Sequence, residues 1–291
     1  MNKRHAASTV TALSLLLTLA ACSSSDAGGS TASDSSSATA ISHIHGLGLS
    51  PSDGRLYVAT HEGIYTPDAQ GKPKLVGDST DDFMGFTVAN NGTFYASGHP
   101  AQEADGPGNK GLIKSTDAGK TWKTLSLAGQ SDFHALDYAH ATLYAYDSTN
   151  GLLRTSRDGA MWKNGATLQA LDIAVSPGDP NLVLATTAEG VARSSDGGKT
   201  FAPGKEPVLA YLSWSAKDFL YGIDTSGGLH RSSDGGATWN KVATVPGGQP
   251  QALSTIDAGH VLAATQSGVY ESKDGGRTFT ERLAVESTGG H

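Results

Sequence analysis

The octapeptide Ser115-Thr-Asp117-Ala-Gly119-Lys-Thr121-Trp122 is written into this chain four times with small changes. It returns as Ser194-Ser-Asp196-Gly-Gly198-Lys-Thr200-Phe201 and as Ser232-Ser-Asp234-Gly-Gly236-Ala-Thr238-Trp239. The last copy is Ser272-Lys-Asp274-Gly-Gly276-Arg-Thr278-Phe279. A version one residue short stands at Ser156-Arg-Asp158-Gly159-Ala-Met161-Trp162, and a worn trace at Thr66-Pro-Asp68-Ala-Gln-Gly71. The chemistry of the motif is local. Asp accepts hydrogen bonds from turn N–H groups, Gly supplies a positive φ, and Ser and Thr add side-chain-to-backbone bonds. The closing aromatic starts the next strand and buries its ring between sheets. Asp117, Asp158, Asp196, Asp234 and Asp274 therefore read as hairpin staples, not as catalytic groups.

Outward from each motif the pattern is constant. An apolar strand, a turn and a second strand lead to a Gly and an aliphatic residue. These glycines are Gly63, Gly111, Gly151, Gly190, Gly228 and Gly268, at intervals of 48, 40, 39, 38 and 40 residues. Six units of this size, each with four short strands, predict an all-β six-bladed propeller over residues 42–291. The expected blades are 42–78, 79–128, 129–166, 167–206, 207–247 and 248–286. The motif resembles the Asp box, or BNR repeat, of sialidases, sortilin-type receptors and photosystem II assembly factors. The resemblance runs from residue 42 to about 285. It implies the propeller and leaves the activity open.

Residues 1–21 read as an export signal. Lys3 and Arg4 precede an apolar run, Ala12 to Ala21, too short to span a bilayer. Leu19-Ala20-Ala21-Cys22 resembles the bacterial lipobox, which implies cleavage before Cys22 and lipidation of its thiol. Cys22 is the only cysteine of the chain, so no intramolecular disulfide forms. Residues 22–41 are rich in Ser, Ala and Gly and read as a tether. The expected location is extracytoplasmic, on a membrane surface through the lipid. The formal net charge of −7 argues against nucleic acid as a partner.

Repeat position assigns residues to faces. In a propeller the inner strand of a blade begins, and the second strand ends, on the upper face; the Asp motif lies below. The aligned inner-strand starts are His45, Met84, His134, Gln169, Tyr211 and Gln251. The aligned second-strand ends are His61, His99, Asp147, Thr187, Asp224 and Gln266. His43 shares a strand face with His45. The first three blades thus place His43, His45, His61, Met84, His99, His134 and Asp147 in one sector, five of the ten histidines among them. Imidazole suits copper and zinc, and a thioether favours Cu(I). Asp82 and Asp132 precede the ring positions and would orient imidazole N–H groups. Histidines that line a wet channel also bond to water and backbone, and the sequence leaves that reading open. The insert Pro100–Lys110 sits beside His99 as a lid, a partner contact or a plain insertion.

A sugar-cleaving role is the alternative. Sialidases resembling this repeat hold their substrate with three arginines. Here Arg154, Arg193 and Arg231 each precede a motif and are expected to face down, so a standard sialidase is not expected. Another glycoside hydrolase would need two carboxylates, for which Asp147 and Asp224 are the candidates. The third reading is a scaffold for an exported protein, which the assembly-factor resemblance implies. An exported protein or a glycan is the expected macromolecular ligand of the upper face.

Overall fold

The computed structural model of the protein describes residues 41–102 and 104–285. The export signal, Cys22 and the tether up to residue 40 lie outside the described residues. The strands form six antiparallel sheets taken in chain order. Blade 1 holds β1 (Ile44–Leu49), β2 (Leu56–Thr60), β3 (Gly63–Pro67) and β4 (Pro73–Leu75). Blade 2 holds β5 (Asp82–Val88), β6 (Phe94–His99), β7 (Leu112–Ser115) and β8 (Lys123–Ser126). Blade 3 holds β9 (Phe133–Ala139), β10 (Thr142–Asp147), β11 (Leu152–Ser156) and β12 (Lys163–Thr167). Blade 4 holds β13 (Ile173–Val175), β14 (Val183–Thr187) and β15 (Gly190–Ser194). Blade 5 holds β16 (Tyr211–Ala216), β17 (Phe219–Ile223), β18 (Gly228–Ser232) and β19 (Asn240–Thr244). Blade 6 holds β20 (Pro250–Thr255), β21 (Val261–Thr265), β22 (Gly268–Ser272) and β23 (Thr280–Ala284). The first strand of each blade touches that of the next, and β20 returns to β1, so the ring is a six-bladed propeller.

Blade 4 departs from the expected four strands. Its outer segment forms no named strand among the described residues and meets β15 through the bridge Val191–Lys205 and a bond from the Ala202 N–H to the Arg193 carbonyl. The cause is in the sequence: Pro203 and Pro207 remove two ladder N–H groups from that segment.

Each blade is sandwiched, and the core is a set of layers between neighbours. Tyr57, Ala59 and Ile64 of blade 1 meet Phe83, Phe86, Phe94 and Ile113 of blade 2. The motif tryptophans close such layers: Trp122 packs 5.0 Å from Phe83 and Trp162 4.9 Å from Phe133, ring centre to ring centre. The ring closes in the same way. Ile41, Ile44, Leu47 and Val58 pack on Ala252, Leu262, Ala264 and Leu283, with no strand exchanged among the described residues.

The motif turns do two jobs. In blade 4, Ser194 Oγ donates to Asp196 Oδ1 (2.7 Å) and accepts from the Gly198 N–H (2.9 Å). Asp196 takes the N–H and hydroxyl of Thr200 at 3.0 and 2.7 Å. Gly198 has φ +83°, and a Cβ there would fall 2.1 Å from Leu153 Cδ2 of the previous blade. The turn therefore caps its own hairpin and seats on its neighbour.

Inner strands have exposed edges toward the next blade, and unpaired N–H groups there must find acceptors. Side chains supply them. Ser97 Oγ accepts from Phe133 N, Asp137 Oδ2 from Val175 N, Asp172 Oδ2 from Leu212 N, Ser213 Oγ from Thr255 N, and Gln251 Oε1 from Ile44 N, at 2.8 to 3.1 Å. Burial drives the Asp172 carboxyl up to about 7 and raises that of Asp137.

Candidate functional site

The upper mouth is shaped by bulges. Strand pairing skips one residue at the head of β1, β5, β9 and β20. The skipped residues are His45, Met84, His134 and Gln251, four of the six aligned ring positions. A bulge leaves its extra residue out of the ladder and re-aims its side chain. His61 follows β2 and His99 ends β6, on the same rim. His45, Gly46, Leu47 and His134 line a channel cavity of about 460 Å³ that also reaches Asp137, Asp172 and Tyr211. A second cavity of about 560 Å³ opens between blades 1 and 2, lined by His61, Asp82, His99 and Pro100.

Five imidazoles crowd this sector. His45 Nε2 lies 3.2 Å from His61 Nε2 and 3.4 Å from His61 Nδ1. The ring of His43 is centred 4.6 Å from that of His45. His61 Nδ1 is 2.8 Å from Asp82 Oδ1. One blade further, Asp132 Oδ2 is 2.6 Å from His134 Nε2 and 3.5 Å from His99 Nε2. His99 Nδ1 is 2.9 Å from the Gly108 carbonyl, which belongs to the insert expected beside it. Lys110 and Ala101 tie both ends of that insert to Asp81, at 2.6 and 3.0 Å.

The donor atoms of His45, His61 and Asp82 lie within 4.8 Å of one another, as do those of His99, Asp132 and His134. Burial pushes His45 down to about 3, and His43, His61, His134 and His99 add to the shift. His43 is lowered too, by burial first and His61 second. Burial would raise the Asp132 carboxyl, but the His134 hydrogen bond and the His134 and His99 charges bring it below the usual range. Asp132 is 6% exposed, and its Oδ1 has no hydrogen-bond partner among the described residues.

The likeness to known proteins is one of fold. No family model and no curated protein sequence matches the chain. Among solved structures, the GH74 enzyme of Niastella koreensis is 20% identical with a TM-score of 0.59, over 84% of this chain and 46% of that one. An ancestral GH74 enzyme is 14% identical, and only 36% of its length is covered. This chain therefore spans less than half of the GH74 enzymes it matches. A putative gluconolactonase aligns at 11% identity and TM-score 0.64, over 84% of this chain and 91% of its own. YCF48 from Cyanidioschyzon merolae aligns at 15% and 0.52, over 84% and 85%. All are β-propeller neighbours, some of them glycoside hydrolases.

Three sequence assignments need correction. Asp147 is not at the mouth. Pairing sets it opposite Phe133 and Leu152, one residue short of the rim, where Ser148 stands. It is fully buried and bonded to Arg154 Nε (2.8 Å) and Asn150 Nδ2 (2.9 Å). Arg154, expected to face down, instead reaches up its strand to that carboxylate. In blade 4 the head of the inner strand is reached near Leu171, two residues beyond Gln169, since Ile173 pairs with Ala185. Asp224 is held within its own blade by His230 Nε2 at 2.9 Å and by the N–H groups of Ser226 and Gly228.

Sequence reading missed Asp137 and Asp172 altogether. Each is a charged residue inside an otherwise apolar inner strand or at its head, and that interruption was the available signal.

Proposed function

We propose that this chain is a binding propeller that captures a transition-metal ion, copper or zinc, at the upper mouth of its channel. The observation that carries this is the pair of His/His/Asp groups whose donor atoms converge within 4.8 Å. Neutral imidazole with a carboxylate suits both ions. The hydrogen bonds made by the other ring nitrogens to Asp82 and Gly108 are of the kind that orient ligating histidines. Tethering through a lipid on Cys22 would hold the mouth outside the cytoplasm, at a membrane surface.

Metal content of the untagged full chain, measured by mass spectrometry after dialysis against Zn(II) or Cu(II), tests the reading. Bound metal that disappears in His45→Asn and His61→Asn supports it. Metal no higher than in a variant lacking all five mouth histidines sinks it. The tether has its own check: the exported protein should carry a diacylglyceryl mass on Cys22 that Cys22→Ala lacks.

The hydrolase reading is favoured less. Asp147 and Asp224, the carboxylates it would use, are each already bonded within their own blade, Asp147 to Arg154 and Asp224 to His230. The GH74 likeness carries the fold, not the chemistry.

A further inference from the structure

The two donor groups are one arrangement used twice, one blade apart. His61 follows the second strand of blade 1 and meets Asp82 at the head of β5. His99 ends the second strand of blade 2 and meets Asp132 just before β9. Two residues beyond each aspartate stands the bulge residue: Met84 after Asp82, His134 after Asp132. The step from blade 1–2 to blade 2–3 thus carries His61 onto His99, Asp82 onto Asp132 and Met84 onto His134. The first arrangement has a thioether where the second has an imidazole.

Hydrogen-bond polarity fixes which nitrogens of the neutral rings are bare. A carboxylate and a carbonyl only accept. His61 therefore gives its Nδ1–H to Asp82 and keeps a lone pair on Nε2. His99 gives its Nδ1–H to Gly108 and turns a bare Nε2 toward Asp132 Oδ2 at 3.5 Å. Two electron-pair donors face each other there, and the neighbouring Asp132 Oδ1 is buried without a partner. In the first arrangement His61 Nε2 and His45 Nε2 are 3.2 Å apart. That is close to the edge of a tetrahedron with ~2.0–2.1 Å metal–nitrogen bonds, about 3.3–3.4 Å.

We infer that the mouth holds two unlike ion sites: a softer one built from His45, His61 and, by its register at the head of β5, Met84, and a harder one built from His99, Asp132 and His134. The inference rests on the metal reading above. Thioether with imidazole selects Cu(I), while imidazole with carboxylate selects Zn(II) or Cu(II). For an ion to take His134 Nε2, the neutral ring gives up its hydrogen bond to Asp132 and carries its one proton on Nδ1 instead, which leaves Nε2 and the carboxylate both able to ligate. Asp82 and His99 pair across β5 and β6, so the two sites are immediate neighbours.

The test titrates the full chain separately with Zn(II) and, anaerobically, with Cu(I) against a chromophoric chelator, then with both. One equivalent of each is expected, two ions together. Met84→Leu should weaken Cu(I) at least tenfold and leave Zn(II) unchanged; His99→Gln and Asp132→Asn should abolish Zn(II) and spare Cu(I). Melting curves of the apo variants confirm folding, and the two variants of the harder site check each other. One equivalent in total, with Cu(I) displacing Zn(II), overturns the two-site inference and leaves the metal reading standing. Cu(I) binding indifferent to Met84→Leu also overturns it. Binding of neither ion removes both readings.

Discussion

The lower face and the upper mouth of this propeller use the same residue types for opposite ends. Below, each motif aspartate spends its oxygens on its own turn: Asp117, Asp196, Asp234 and Asp274 all take a Thr N–H and a Thr hydroxyl. Above, Asp132 has an oxygen left over, His45 and His61 meet through their Nε2 atoms at 3.2 Å, and His99 Nε2 turns toward Asp132. Below, the arrangement is copied around the ring. Above, it occurs in blades 1 to 3 only. Repetition marks what builds the ring, and its interruption marks what the ring was adapted to do.

The largest effect should come from the repeated face. Gly198→Ala places a side chain at φ +83° and against Leu153. The left-handed backbone costs about 1–2 kcal/mol and overpacking about 1–3 kcal/mol. Chemical denaturation should show a loss of roughly 2–5 kcal/mol, with ion stoichiometry intact below the transition. A variant as stable as the parent would mean that the turn does not seat on its neighbour.

The second prediction uses pH to separate the faces from the channel wall. Hydrogen bonds from Thr121 and Thr238 lead in holding Asp117 and Asp234 down at about 2. Their folded values lie below the unfolded one, so their contribution is whole above about pH 4 and is lost as pH falls toward 2. Asp172 runs the other way. Burial sets it at about 7, so its contribution is whole below about pH 4 and is lost as pH rises toward 7. The melting temperature should fall between about pH 4 and 7, and Asp172→Asn should flatten that fall. Each kcal/mol corresponds to about 2–4 °C in a domain of this size. An identical slope in the variant would show that channel water already solvates the carboxylate.

At the mouth, Asp82→Asn tests orientation. Partners that orient a ligating imidazole are worth about 10–100-fold in metal affinity. The Cu(I) constant should weaken by that factor while the apo melting temperature stays put. An unchanged constant would leave Asp82 as a rim charge only.

The same contrast explains what could be read in advance. The lower face was legible because its chemistry lies within eight residues, and turn geometry follows from Ser, Asp, Gly and Thr wherever they stand. Ring positions His45, Met84 and His134 were legible because each follows a large apolar residue that the strand buries, Ile44, Phe83 or Phe133, and precedes Gly or Ala. Asp147 was misplaced because the turn after β10 runs Ser148-Thr149-Asn150-Gly151, longer than the two-residue turn after β2. One residue of slip along a strand turns a side chain to the other face. Asp137 and Asp172 act across to a strand about 40 residues away, on a neighbour that no local pattern names.

The smallest effect expected at the mouth is also the sharpest. His43 and His45 are two residues apart on one strand, with rings 4.6 Å apart, and by composition they are equivalent. Hydrogen bonding separates them. Gln251 Oε1 accepts the Ile44 N–H at 3.1 Å, which fixes the amide so that its Nε2 donates to His43 Nδ1, also at 3.1 Å. The Nδ1 lone pair of His43 is thereby spent, and its proton sits on Nε2, so neither nitrogen of the neutral ring is bare. His43→Asn should therefore change Cu(I) affinity by no more than about threefold, or about 0.65 kcal/mol. His45→Asn, on the same strand, should cost at least a hundredfold. Equal losses from both would mean that the Gln251 amide gives way when an ion arrives, and that the mouth contributes a third imidazole to the softer site.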